Sequence, residues 1–460
     1  MSHSKHALAK YGINEAYFSQ ITGRPVRSFR IKPVHEGYNV HSDLYCFTLT
    51  FSDGSEPLSI FAKDTYMNRD VSGRHEKDGQ MNQTEAEFLE FATHCKAFTP
   101  RYLGSINFTD KKEQKHLMLF MEKYNHSLED KLIALKAQRD RAGSEEERQA
   151  IVDQAFDYIR RAIDIIVVNN YIARRSFNPE DPSSAGNKLR VMSPPFQEYH
   201  TDLEDYLTGL TLFKLLNDFK QKKDKRFEVV KKGLAIMRDY VKRVEEVLDE
   251  FIANELTGNS SEHELTHLDT LPGHVLLKDV ELGDYDPNTV LDLRTGRNGG
   301  STPYDGFAIT DYNKFGYAPD GFFAAILLNH PAIFQIMPAD REKQLVEHAL
   351  VQEERLRTAN SAIQLTDIRA RDVQNFMDVV YQSGGRYALL RNIGFMAWLC
   401  MENPTKARNL QKRNLLYTPE TFIKANLDRL FSVDVRGFYP LNEWLEKKVL
   451  SEVNNNQWKA

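Results

Sequence analysis

The chain has 460 residues, of which 41% are hydrophobic and 27% are charged, and its formal net charge is −5. This length favours roughly two to three domain-sized units, and the charge balance excludes the strongly basic surface typical of proteins that bind nucleic acid or anionic membranes. The three cysteines form no CxxC motif, which excludes a thiolate zinc site and a disulfide framework. The first residues lack the apolar segment of a signal peptide, and no apolar stretch is long enough to cross a bilayer. We therefore expect a cytoplasmic protein without nucleic-acid or membrane partners.

The first third of the chain has the composition of β-strands. Aromatic and β-branched residues form short runs, and Gly, Asp and Ser bound these runs. One helix is expected between the third and fourth strands. The predicted strands are Val26–Pro33, Leu44–Phe51, Leu58–Asp64, about Arg101–Phe108 and about His116–Glu122, and the predicted helix is about Asn82–His94.

The rest of the chain is predominantly helical. A capping box at Ser144–Glu147 precedes apolar residues at helical spacing. Residues 257–316 are loop-like and strand-like, and the pattern from Pro338 to about Val453 is helical again, with a break at Ser383–Gly385. We predict an α+β fold with a β-rich amino-terminal lobe at residues 1–125 and a mostly helical lobe at residues 126–460.

The second of these lobes has an enlargement at about residues 175–260. Within it, apolar residues recur at alternating four- and three-residue steps from Val230 to Phe251, which is a heptad pattern. One interpretation is a long helix packed within the lobe. The alternative is a coiled coil through residues 230–251 that forms a homodimer.

The most specific motif is at residues 267–277, which read HLDTLPGHVLL. It resembles the catalytic loop HGDLHPGNVLL of the aminoglycoside phosphotransferase and choline kinase family. Phosphoryl transfer needs a carboxylate that orients the acceptor hydroxyl and takes its proton. The resemblance implies that Asp269 is this catalytic base. The matching residues are His267, Asp269, Pro272, Gly273, Val275, Leu276 and Leu277.

The metal ligands implied by the resemblance differ in part from those of the family. Asp311, in the segment FAITDYNKFGYAPD, occupies the position of the family's metal carboxylate, and Asn313 replaces an acidic residue. His274 stands where the family has a metal-binding asparagine. Mg²⁺ prefers hard oxygen ligands over imidazole. One interpretation is that other groups hold the metal ion, which is Mg²⁺ or, as the alternative, Mn²⁺. The other is that the phosphotransfer chemistry has changed or been lost.

Three residues of the predicted amino-terminal lobe resemble the family's phosphate site. Lys63 ends the mainly apolar run Ile60–Lys63. In the family, the lysine that contacts the nucleotide phosphates ends a similar apolar strand. Glu85 fits the family's helix glutamate, which pairs with that lysine, although Glu85 could equally serve a helix-capping box. Gly37 fits the loop that covers the phosphates.

The segment LMLFMEKYNHSLED at residues 117–130 resembles the family's hinge. In that setting the backbone of residues 122–124, including Glu122 and Tyr124, would bind the adenine edge. A second stretch at residues 282–291 also echoes the catalytic motif, with leucine in place of its histidine. Its acidic residues fit a calcium loop poorly, because the glycine at the sixth position and the glutamate at the twelfth are missing. We interpret it as an insertion after the catalytic loop.

Together these motifs imply a two-lobed, protein-kinase-like fold and an ATP-dependent phosphotransferase that uses Mg²⁺ and acts on a hydroxyl of a small-molecule substrate. The alternative is a nucleotide-binding pseudokinase or scaffold protein, which His274 and Asn313 favour. A protein kinase is a third interpretation, and the motif argues against it because HRD is missing. The sequence does not identify the acceptor.

Overall fold

The structure is a computed structural model, which describes residues 8–34, 42–66, 75–111, 113–176, 263–279, 282–293, 302, 304–312, 315–385, 387–389, 391–392, 422, 425–426 and 429. The chain forms two compact units. Unit 1 comprises Met1–Leu128, Ile165–Arg190 and Gly273–Lys314, and unit 2 comprises Glu129–Asp164, Val191–Pro272 and Phe315–Ala460. The predicted heptad seam at residues 230–251 lies outside the described residues.

Unit 1 is built on a five-stranded antiparallel sheet with the strand order β1-β2-β3-β5-β4. The helix α2 connects β3 to β4, and the short helix α1 precedes β1. All five strands predicted from the sequence are confirmed, with ends that differ by at most two residues. The elements are α1 (Glu15–Thr22), β1 (Val26–Val34), β2 (Ser42–Phe51), β3 (Leu58–Tyr66), α2 (His75–His94), β4 (Tyr102–Thr109) and β5 (Lys115–Glu122).

Each face of this sheet has its own core, because successive side chains of a strand point to opposite faces. On one face, Phe18 of α1 packs against the rings of Phe29, Phe47 and Phe120, with centroids 4.8 to 5.6 Å apart. On the other face, Leu89 and its neighbours on α2 cover apolar residues of β5 and Phe61 of β3. The alternation along β3 therefore directs Phe61 and the residue two positions later toward α2.

Unit 1 also contains a small three-stranded antiparallel sheet with the strand order β6-β8-β9. It joins three segments that are far apart in the sequence. The strands are β6 (His126–Ser127), β8 (Val275–Leu277) and β9 (Phe307–Ile309), and the short helix α5 (Thr289–Asp292) lies between the last two along the chain.

Unit 2 is mostly helical, with one antiparallel strand pair, β7 and β10. Every residue of the helix Phe322–Leu328, called α6, is buried. This burial agrees with its sequence, FFAAILL, which is apolar on every side of the helix. None of the helices in the described ranges is long and apolar enough to cross a membrane. The remaining elements are α3 (Leu128–Arg139), α4 (Glu145–Ser176, whose last turns belong to unit 1), β7 (His263–His267), β10 (Phe315–Pro319), α6 (Phe322–Leu328), α7 (Pro331–Phe334), α8 (Ala339–Thr358) and α9 (Ala370–Asp378).

One predicted break is wrong. A π-helical turn at Val379–Ser383 follows α9 directly, and Gly384 and Gly385 continue in helical conformation. A Cβ atom on Gly384 would lie 2.8 Å from the Cβ of Ala325 in α6. These glycines therefore permit close helix packing, which a sequence pattern alone cannot distinguish from a helix end.

The α+β class and the β-rich amino-terminal part are thus confirmed. A five-stranded antiparallel sheet with a helix between its third and fourth strands is the arrangement of a kinase-like fold, and the lysine on the third strand described below fits the same arrangement.

Candidate active-site residues

Lys63 lies on β3, where it is only 6% exposed. It faces α2, and its Nζ donates to Oε2 of Glu85 at 2.7 Å. Glu85 is fully buried, so water reaches little of the surface of the Lys63–Glu85 pair. The structure therefore brings together the lysine and the glutamate that the sequence singled out.

Asp311 joins the same ammonium group. Its Oδ1 accepts from Nζ of Lys63 at 2.5 Å, and its Oδ2 lies 3.1 Å from Nε2 of His274. Asp311 has a φ of 66°, a left-handed conformation that is uncommon outside glycine and often found at functional sites. We call Glu85, Lys63, Asp311 and His274 the anchor cluster, and all four belong to unit 1.

Burial and charge act against each other in the anchor cluster. Burial alone would lower the pKa of Lys63, but the charges of Asp311 and then Glu85 raise it above its ordinary value. Burial raises the pKa of Glu85, and the charge of Lys63 only partly offsets this rise. Lys63 therefore stays cationic across the physiological pH range, and its ammonium group can bind an anion.

The aromatic residue after Asp311 fixes the loop that carries it. The ring of Tyr312 stacks on Phe88 of α2 at a centroid distance of 3.8 Å and an angle of 10°. Its hydroxyl accepts from Nδ2 of Asn169 on α4 at 2.6 Å, and the same amide exchanges hydrogen bonds with both backbone groups of Phe98. Since Phe88 lies one turn after Glu85, the stack links α2 to the Asp311 loop.

The turn that carries His274 is tied to the same loop. The backbone N–H of Thr310 donates to the carbonyl of His274 at 3.0 Å, next to the β8–β9 ladder. Asp311 offers hard carboxylate oxygens and His274 offers an imidazole nitrogen, a donor set that fits Mn²⁺ well and Mg²⁺ when phosphates and water supply the other ligands. Oε1 of the buried Glu85 has no hydrogen-bond partner among the described residues, so it could accept a further donor.

The predicted hinge follows β5. The backbone N–H of Glu122 donates to the carbonyl of Arg101, and its carboxylate accepts from Nζ of Lys278 at 2.7 Å. The same ammonium lies 5.0 Å from the ring centroid of Tyr124. Asn125 donates its N–H to the carbonyl of Leu277. The segment that would bind the adenine edge is therefore held by residues of β8 and the turn after it.

Asp269 lies in unit 2, in a tight loop after β7. Its backbone N–H donates to Nδ1 of His267 at 3.0 Å, and its carbonyl accepts from the N–H of Leu271 at 2.9 Å. Between them, the Thr270 hydroxyl donates to the carbonyl of Phe323 at 2.7 Å. The motif residues thus form a fixed loop that carries Asp269, whose side chain is 7% exposed.

Sequence reasoning missed the partner of this carboxylate. Nη2 of Arg391 donates to Oδ1 of Asp269 at 2.6 Å, across 122 positions of the chain. No motif of the predicted site includes this arginine, which stands alone among mainly apolar residues in the run YALLRNIGFMAWL at residues 387–399.

Two residues named in the sequence analysis, Gly37 and Asn313, lie outside the described residues. In the insertion at residues 282–291, Asp284 and Asp286 are exposed, and Oδ1 of Asp286 accepts from the backbone N–H of Asn288 at 2.9 Å. This turn leads into α5 and takes no part in the anchor cluster.

No protein-family model and no curated protein matches the sequence. Among solved structures, the chain is similar to an ethanolamine kinase from Plasmodium vivax, with 10% identity over 96% of this chain and 93% of that one and a TM-score of 0.45. It is also similar to a microcompartment-associated aminopropanol kinase, with 9% identity, coverage of 89% and 94% and a TM-score of 0.44. A third similar structure is the GDP complex of aminoglycoside 2'-phosphotransferase-IIIa, with 10% identity, coverage of 91% and 97% and a TM-score of 0.41. The roles proposed below for individual side chains rest on their contacts in this structure and not on these similarities.

Proposed function

We propose that this protein is an ATP-dependent phosphotransferase that acts on a hydroxyl group of a small molecule. The observation that carries this proposal is the Lys63 ammonium, held between a buried helix glutamate and the carboxylate of a left-handed loop residue. In phosphotransferases of the kinase type, this combination holds nucleotide phosphates and a divalent cation. The two cysteines in the described part, Cys46 and Cys95, are free thiols, which supports the cytoplasmic location.

Each residue of the anchor cluster has a defined task in this proposal. Lys63 donates to phosphate oxygens, and Glu85 keeps its ammonium in place. Asp311 and His274 would hold Mg²⁺ or Mn²⁺, which neutralises charge on the phosphates when it is bound. Glu122 and Tyr124 would present backbone groups to the adenine edge. Little covalent chemistry remains for the protein, so the rate comes from positioning and charge neutralisation.

Asp269 supplies the acceptor side of the reaction. Its carboxylate would accept a hydrogen bond from the acceptor hydroxyl and take the proton as the oxygen attacks the γ-phosphorus, while the bond from that phosphorus to the leaving oxygen of ADP breaks. The proton ends on Asp269 and is then released to water.

Asp269→Asn should abolish phosphoryl transfer and leave ATP affinity nearly unchanged, because the amide cannot take the proton. ADP formation should be measured with Mg²⁺ and with Mn²⁺, using water, ethanolamine and glucosamine as acceptors. Asp284→Asn serves as the matched control, since it changes an exposed carboxylate outside the anchor cluster. Full turnover in Asp269→Asn would move the catalytic role elsewhere, and loss in the control would point to Asp284.

A second candidate function is a nucleotide-binding pseudokinase or scaffold. The observation that favours it is the contact of His274 with Oδ2 of Asp311, where an imidazole takes the place of the family's amide. In that case ATP would bind without turnover under every metal condition.

A further inference from the structure

The side chain of Arg391 lies against the carboxylate that we assign as the base. Its Nη2 is 2.6 Å from Oδ1 of Asp269, and the two side chains are 11% and 7% exposed. A hydrogen bond between two ionised groups in such a shielded place is strong. The guanidinium stays protonated at any pH at which the protein is folded, so the arginine keeps its charge beside the carboxylate.

Several contacts hold the loop that carries Asp269, and Arg391 adds one to its carboxylate. The hydrogen bonds from the Asp269 N–H to His267 and from the Leu271 N–H to Asp269 fix the backbone. The hydroxyl of Thr270 anchors the next residue to Phe323. These contacts involve backbone groups of Asp269, whereas the contact of Arg391 is made to its carboxylate and so restrains the rotation of that group.

Restraint of the carboxylate matters for the proposed reaction. A base must present one oxygen to the acceptor hydroxyl within hydrogen-bond reach, and small displacements of a catalytic group are costly. The hydrogen bond from Arg391 to Oδ1 restrains the plane of the carboxylate and so the direction in which its oxygens point. A guanidinium suits this task because it cannot itself become the proton acceptor.

We propose that Arg391 is a positioning residue, which orients the carboxylate of Asp269 toward the acceptor hydroxyl through its contact with Oδ1; this inference rests on the proposed function. Removal of the arginine leaves the carboxylate in place as a base but takes away one of the contacts that restrain its orientation. The expected effect is a lower kcat with little change in the KM for ATP, because the nucleotide is held by other residues.

The test uses the full chain with Arg391→Ala, Arg391→Lys and the matched control Arg429→Ala. Arg429 also pairs with a buried carboxylate in unit 2, that of Glu342, and its side chain is 18% exposed. ADP formation is measured with ATP, with Mg²⁺ or Mn²⁺, and with the acceptor that gives the highest wild-type rate among water, ethanolamine and glucosamine. We expect Arg391→Ala to lower kcat about tenfold or more, Arg391→Lys to retain part of the rate, and millimolar guanidinium to restore part of the rate of Arg391→Ala only.

The outcomes separate the inference from the proposed function. A wild-type chain that forms no ADP with any metal or acceptor overturns the proposed function, and the inference with it. An active wild type with an unchanged kcat in Arg391→Ala overturns the inference alone. The same holds if Arg429→Ala loses as much kcat as Arg391→Ala and guanidinium restores neither, because the arginine would then be only structural.

Discussion

Lys63 is the residue on which the charges of the anchor cluster converge. It serves two carboxylates at once, and one of them, Glu85, is fully buried. Removal of one partner from a buried ion pair leaves an uncompensated charge, which is far costlier than loss of a pair at the surface. Lys63 therefore has a structural role in addition to its proposed contact with phosphates.

Lys63→Met should lower the free energy of unfolding by ~3–5 kcal/mol, because Glu85 loses its cation. Lys278→Met is the control, since the Lys278–Glu122 pair is about one-third exposed and should contribute ~1 kcal/mol or less. Denaturant unfolding measures both changes. Calorimetry on the folded variant should show a large loss of ATP affinity and a small loss of adenosine affinity, and an equal loss of both would mean that Lys63 does not contact phosphates.

Sequence motifs located the residues of the anchor cluster because each stands in a short segment with a fixed order of residue types. Lys63 follows the apolar run Ile60–Ala62 within β3, and Asp311 comes two residues after β9, so local pattern and chemistry coincide. Arg391 differs in this respect. It is the only charged residue in an apolar run, which indicates a paired charge, but its partner lies 122 positions away and no pattern near Arg391 identifies it.

At the scale of elements, the strands were predictable and one helix end was not. The composition of the strands is strongly apolar and aromatic, and turn residues bound each of them. Helix α2 begins at His75, seven residues before the predicted start at Asn82. Its first residues, HEKDGQM, include Gly79 and have no helical repeat of apolar positions. The apolar repeat that predicts the helix therefore begins only after these residues.

The stack of Tyr312 on Phe88 couples this helix to the Asp311 loop. Burial raises the pKa of Tyr312, so its hydroxyl stays protonated, and the hydroxyl oxygen accepts a hydrogen bond from Nδ2 of Asn169. Tyr312→Phe removes that hydroxyl and leaves a buried N–H of Asn169 with one partner fewer. We expect a loss of ~1–3 kcal/mol in the free energy of unfolding and weaker binding of ATP with its metal.

Tyr17→Phe is the matched control for this change. The hydroxyl of Tyr17 is buried and has no hydrogen-bond partner in the described part of the chain, so its removal should leave stability unchanged or slightly raise it. Chemical denaturation and calorimetry of both variants check the prediction. An unchanged stability and ATP affinity in Tyr312→Phe would show that the ring stack alone holds the loop.

At the scale of the whole molecule, long-range strand pairing determines which residues belong together. Strands β6, β8 and β9 draw residues 275–277 and 307–309 into unit 1 with the amino-terminal sheet. The lobe boundary at residue 125 and the homodimer through residues 230–251 stay predictions. The three segments of unit 1 are far apart in the sequence, so local residue patterns do not show that their strands pair.

The response of the whole chain to nucleotide and metal tests the proposed function against the pseudokinase alternative. A ligand that binds only the folded state stabilises it by about 2.7 kcal/mol at a concentration one hundred times its Kd. A non-hydrolysable ATP analogue should therefore raise the melting temperature by several degrees, and the rise should depend on Mg²⁺ or Mn²⁺. Asp311→Ala should remove the metal-dependent part, while the exposed control Asp284→Ala should keep it.

His274 determines which metal gives the larger shift. An imidazole nitrogen is a better ligand for Mn²⁺ than for Mg²⁺, so Mn²⁺ should stabilise the wild-type chain with nucleotide more than Mg²⁺ does. His274→Asn supplies an oxygen in its place and should move the preference toward Mg²⁺. Thermal-shift titrations of the nucleotide with each metal measure this preference. If the shift is the same without metal, and the same in Asp311→Ala, the carboxylate does not face an ion and the chain binds nucleotide as a pseudokinase does.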